Sequence, residues 1–127
     1  MGVGKFALCT HVIIEVLEMV SNRQDALKLA AQTHRGLEKI YGHRLRGVYL
    51  YGSAARDTLH EESDIDIAIV LDEIPNRFDE HERTSKLGSD ISLQENTLVS
   101  FIFLEEADFE QGRFSIHRSV KRDGIPV

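Results

Sequence analysis

Residues 49–71, YLYGSAARDTLHEESDIDIAIVL, read as two strands joined through a turn that opens on Gly52-Ser53 and closes on Asp64 and Asp66. Side chains alternate with period two along a strand, so positions 64, 66, 68 and 70 share one face, while Ile65, Ile67, Ile69 and Leu71 share the other. The first face runs from two aspartates into Ala68 and Val70, which leaves carboxylates only at its mouth. Their α-carbons stand roughly 6.5 Å apart, close enough for both carboxylates to converge on one metal ion or on a pair ~3.5 to 4 Å apart. A turn cap followed by a water-facing aspartate gives the same D-x-D pattern, and the pattern alone leaves both readings open. Gly52-Ser53 is equally a common turn. Placed at a strand end, however, it lets backbone N–H groups and a hydroxyl approach a phosphate, with a helix N-terminus behind. The combination points to phosphoryl or nucleotidyl transfer.

Outward from this stretch the periodicity changes several times, as in mixed α/β domains. Upstream, Val12, Ile13, Val16, Leu17 and Val20 form a helical stripe behind Thr10 as N-cap. Ser21 and Gln24 have capping-box spacing and open a second helix, with Leu27, Ala30, Ala31, His34, Leu37, Ile40 and Tyr41 on its apolar stripe and Gly42 at its end. Residues 45–51 read as the first strand, 64–71 as the second and 98–104 as the third. The polar stretch 74–96 reads as helical with an interruption at Gly88. A last helix over 114–121 stops at Gly124 and leaves residues 125–127 extended.

With 127 residues the expectation is one domain, 1–127. Hydrophobic residues make up 42% and charged residues 28%, and no run approaches the ~18 apolar residues of a membrane span. Glu15 and Glu18 interrupt the apolar N-terminal run, which argues against a signal peptide, and the one cysteine, Cys9, fits a reducing cytoplasm. The net charge of −6 argues against broad nucleic-acid binding while allowing a small basic site. The six histidines show no metal-ligand spacing, and His34 reads as a hydrogen-bonded core or boundary residue. His117, Arg118, Lys121 and Arg122 gather near a helix C-terminus, where they complement its dipole or meet a nucleotide or partner. Phe101 and Phe103 read as core.

GSAARD at 52–57 followed by SDIDIAIV at 63–70 resembles the DNA polymerase β-like nucleotidyltransferase superfamily, in particular its minimal nucleotidyltransferase domains, whose signature is G-S-x-A-x-G followed by S-D-I-D. The resemblance implies an α/β (α+β) nucleotidyltransferase fold, a small mixed sheet flanked by helices. It implies Gly52 and Ser53 as the phosphate cradle, and Asp64 and Asp66 as catalytic metal ligands. Arg56 falls where the family carries a basic residue near the phosphates, or it forms a surface pair with Glu61 or Glu62. Implied with them are magnesium or manganese, ATP or another nucleoside triphosphate, and transfer of AMP to a hydroxyl. The implied acceptor or partner is a HEPN-type toxin, with this chain as antitoxin, or a small molecule of the aminoglycoside kind. Two departures stand out: Asp57 replaces the closing glycine, and Ser100 falls where active members carry a third carboxylate, with Asp90, Glu95 and Glu105 as nearby substitutes. Ser100 favours the alternative of a catalytically weakened nucleotide-binding or protein-interaction module.

Overall fold

The computed structural model describes residues 23–52, 55 and 64–127. The expected helix over Thr10 to Val20 and the Ser21 cap lie outside the described residues. Helix α1 (Arg23–Tyr41) runs into a short 3-10 turn (Gly42–Arg44), followed by β1 (Leu45–Tyr51) and β2 (Ile65–Leu71). Then come α2 (Arg77–Glu95), β3 (Val99–Glu105), α3 (Glu106–Gln111), α4 (Ser115–Asp123) and β4 (Ile125–Pro126). The four strands form one mixed sheet in the order β3-β2-β1-β4. β1 is antiparallel to β2 and β4, while β3 is parallel to β2. This is the α/β architecture expected from the sequence, a small mixed sheet flanked by helices.

The alternation in β2 sorts the two layers. Ile65, Ile67, Ile69 and Leu71 are fully buried on the face covered by α1 and α2, where Leu29, Leu37, Ile91 and Phe103 join them. Each such side chain contributes about 1.5 to 3 kcal/mol by leaving water. Ala68 and Val70 face the other way, against Leu104, Phe109 and Val120, so α3 and α4 cover that second face. No described helix is long and apolar enough to cross a membrane.

Three details differ from the sequence reading. The buried stripe of α1 is Ala26, Leu29, Ala30, Thr33, Leu37 and Tyr41, rotated so that Ile40 is exposed. Thr33 can lie inside because its hydroxyl donates to the Leu29 carbonyl at 2.9 Å. Gly88 does not interrupt α2, which is continuous: a Cβ there would lie 3.3 Å from the Phe101 ring, so the glycine allows helix and sheet to approach closely. The short α3 is the third, a helix between the third strand and the last helix that the periodicity did not reveal. His34 does sit at the boundary with a hydrogen-bond partner, its Nδ1 being 2.6 Å from the Val127 carbonyl oxygen.

An ionic cluster ties the ends of α1 and β2 to the start of α2. Glu80 is only 2% exposed, and its carboxylate accepts from the Tyr41 hydroxyl at 2.9 Å, from Arg44 at 3.1 Å and from Arg83 at 3.3 Å. Arg44 also donates to Asp72 at 3.2 Å and to the Glu73 carbonyl at 2.9 Å. Burial, followed by the bond to Glu80, pushes the Tyr41 phenol well above its ordinary pKa.

Candidate active site

Three polar side chains form a row across the sheet where β2 and β3 begin. Antiparallel pairing sets Tyr51, the last residue of β1, opposite Asp66, and parallel pairing sets Ser100 of β3 opposite the same Asp66. Directly opposed residues share a face, so all three stand on the side covered further along by α3 and α4. Asp64 immediately precedes β2, is exposed, and falls on the same face by period two. The two aspartates therefore stand at the open end of a face whose interior is Ala68 and Val70.

Gly52 brings the end of β1 against this row. Its φ is +72°, and a Cβ built there would lie 2.5 Å from Asp66 Oδ2. Only glycine lets the chain leave β1 directly against that carboxylate. Ser53 and Arg56 lie outside the described residues. Within the same connection Ala55 is buried, and its carbonyl accepts from Arg23 Nη2 at 2.6 Å, which anchors the turn to the start of α1.

Tyr51 was not among the residues singled out from the sequence. Burial, and then the negative charge of Asp66, pushes its pKa up to about 12. At neutral pH it is thus a protonated phenol beside the carboxylate, able to donate a hydrogen bond and unable to serve as a base. Alternation in LRGVYLY could have placed it on the same face as Tyr49. Its position opposite Asp66 needed the strand register, which the long connection between β1 and β2 leaves open.

None of the expected substitutes for a third carboxylate reaches this face. Asp90 lies on α2 over the opposite face and pairs with Lys86 at 2.7 Å, and Glu95 ends the same helix. Glu105 is five residues beyond Ser100, about 16 Å further along the strand, and its Oε2 accepts from the Ile74 N–H. Among the described residues no three His, Cys, Asp or Glu side chains are grouped to hold a metal. Two carboxylates nevertheless fit magnesium, a hard cation that binds through one or two carboxylates and completes its shell with water and substrate phosphates. A side chain at Gly52 would collide with the Asp66 carboxylate, so the glycine keeps that carboxylate clear.

Comparison with known proteins agrees with this geometry. A candidate protein adenylyltransferase of Methanocaldococcus jannaschii is 29% identical over 82 residues, 65% of this chain and 82% of that protein. The crystal structure of a candidate nucleotidyltransferase from Sulfolobus solfataricus superposes with a TM-score of 0.59 at 25% identity, covering 82% of this chain and 80% of that one. A toxin-antitoxin structure with AMP-PNP shares the fold at a TM-score of 0.55 and 22% identity, covering 75% of this chain and 69% of that one. Residues 37–121, which carry the Gly52 turn, both aspartates and all three long strands, match the family described as polymerase beta, nucleotidyltransferase, and the chain belongs to that family.

Proposed function

We propose that this protein transfers AMP from ATP to a hydroxyl on a protein acceptor, a HEPN-type toxin for which it acts as antitoxin. The observation that carries the reading is the row of Tyr51, Asp66 and Ser100 closed by the Gly52 backbone. The similarity to a protein adenylyltransferase supports a protein acceptor, and the toxin-antitoxin structure with AMP-PNP supports an adenine nucleotide and a toxin partner. Asp64 and Asp66 would hold magnesium, which neutralises phosphate charge during in-line displacement.

The chain's own residues then have distinct tasks. The backbone after Gly52, with the Ser53 hydroxyl and the Arg56 guanidinium, cradles the triphosphate. Tyr51 donates from the wall of the site and stays protonated. The acceptor oxygen bonds to the α-phosphorus, the bond to the β-phosphate bridging oxygen breaks, and pyrophosphate leaves. The acceptor's proton passes to water, because Ser100 and not a carboxylate stands opposite Asp66 on β3.

A general base contributes ~10²- to 10⁴-fold in rate, so wild-type transfer is slow and Ser100→Asp accelerates it by at least about tenfold. Incorporation of AMP from ATP labelled at the α-phosphate, measured on wild type and variant at matched magnesium, is the test. Brisk wild-type transfer unchanged by the substitution contradicts the vacant-base account. Ser100 also favours a second reading, a module that binds nucleotide and a protein partner without turnover. Magnesium-dependent ATP binding with no incorporation into any acceptor, by wild type or variant, would establish that one.

A further inference from the structure

His117 is a buried titratable side chain to which nucleotide transfer gives no task. It is 3% exposed in the first turn of α4, and its Nδ1 accepts from the Phe114 backbone N–H at 3.0 Å. Phe114 is the residue at which α4 begins, so the imidazole satisfies one of the backbone donors that a helix start leaves open. A backbone N–H only donates, so Nδ1 presents a lone pair and the neutral ring carries its proton on Nε2. Nδ1 is then the one place on the ring where a second proton can go. Nε2 is buried as well and has no partner among the described residues. Arg77 of α2, Arg113 before α4 and Arg118 within it act on the ring, opposed by Asp108 of α3, and His81 of α2 lines the same hollow.

We propose that the start of α4 is an acid-released latch: a proton taken by His117 at Nδ1 breaks the bond to Phe114, drives the ring from its buried seat and frees the first turn of α4 from β3. The protonated ring sets two donors head to head at Phe114 and places a charge in a buried seat beside Arg77, Arg113 and Arg118. A hollow of about 330 Å³ adjoins the ring, lined by Arg77, His81, Phe114 and Ile116 among others, and gives it a way to water. Phe114 and Ile116 are already exposed, so the turn keeps few apolar contacts once His117 leaves. Val120 is fully buried and Lys121 donates to the Glu110 carbonyl, which holds the rest of the helix on the sheet. The hollow reaches Ile102 and Leu104, which follow Ser100 on the active-site face, so release opens that face beside the site. Burial is the largest cause that holds the His117 pKa below its ordinary value of about 6.5; the arginines add to it and Asp108 opposes it. The open form therefore takes its proton first as pH falls. The latch is fully closed above that value and weakens by up to about tenfold per pH unit below it, until the closed form is protonated too.

Amide hydrogen exchange and NMR titration of the His117 ring, on the full chain between about pH 7 and about pH 5, test this in wild type and His117→Gln. Glutamine at this position of a helix start also accepts from the backbone N–H and does not titrate. In wild type, protection of the Phe114 amide relative to intrinsic exchange is expected to fall by about tenfold or more across that range, with the midpoint of the ring titration. The Ile67 amide, in the centre of the sheet, is expected to keep its protection, and His117→Gln is expected to hold Phe114 protected throughout. A ring that titrates with no loss at Phe114 overturns the proposal, as does an equal loss in His117→Gln. Loss at Phe114 and Ile67 together also overturns it, because the whole domain then unfolds in acid. If His117→Gln does not fold, the wild-type midpoints at the ring and at Phe114 decide by themselves, and disagreement between them overturns the latch.

Discussion

Asp66→Asn is expected to abolish the proposed AMP transfer while leaving the protein folded, and Asp64→Asn is expected to do the same. Asp66 is half-buried between Tyr51 and Ser100, and the Gly52 backbone lies against it. Asparagine keeps its shape and removes its charge. If the carboxylates hold magnesium, each substitution costs more than ~10²-fold in rate, since charge stabilisation in such sites is commonly worth several kcal/mol. The Tyr51 phenol supplies an internal readout that does not depend on turnover. Part of what pushes its pKa up to about 12 is the charge of Asp66, so in Asp66→Asn it titrates lower, toward the value set by burial alone. Loss of activity with a shifted tyrosinate titration and an unchanged melting temperature is the expected pattern. A variant that unfolds shows instead that the carboxylate was structural.

The largest effect on stability is expected at the other end of β2. Arg44→Met leaves Glu80, almost completely buried, with the Tyr41 hydroxyl and the half-exposed Arg83 as its side-chain partners among the described residues. Removing one member of a buried pair typically costs ~3 to 5 kcal/mol because the remaining charge is left uncompensated. Arg83 retains part of that compensation, so about 3 kcal/mol is expected here, a fall of roughly 10 °C in melting temperature. Adding Glu80→Gln to Arg44→Met removes the stranded charge and restores part of the loss. Thermal unfolding of the two variants decides it. A loss within about 0.5 kcal/mol for Arg44→Met would place the cluster among surface charge pairs of little worth.

What the sequence disclosed depended on whether the relevant contact is local. Alternation in residues 64–71 was sufficient to put Asp66 on one face with Ala68 and Val70 and the isoleucines on the other, because a strand's period is fixed by its own backbone. The end of α1 at Gly42 was legible for the same reason. Tyr51 was not, since its place opposite Asp66 depends on strand register. The uninterrupted α2 was missed because Gly88 answers to Phe101 across the interface rather than to its own helix. Asp90, Glu95 and Glu105 lie near Ser100 in sequence, outside its register, and offered substitutes for the missing carboxylate. They proved unsuitable because α2 covers the opposite face and Glu105 lies at the far end of β3. Proximity along the chain carried no information about the face.

Asp64 and Asp66, at the head of β2, are proposed to bind a nucleotide through a divalent cation. Isothermal titration of ATP into the full chain, with magnesium and then with chelator, tests it most directly. Two carboxylates at the mouth of the site repel an unscreened triphosphate, so binding is expected with magnesium and absent without it, and Asp66→Asn is expected to remove the dependence. Equal affinity with and without magnesium would contradict the account.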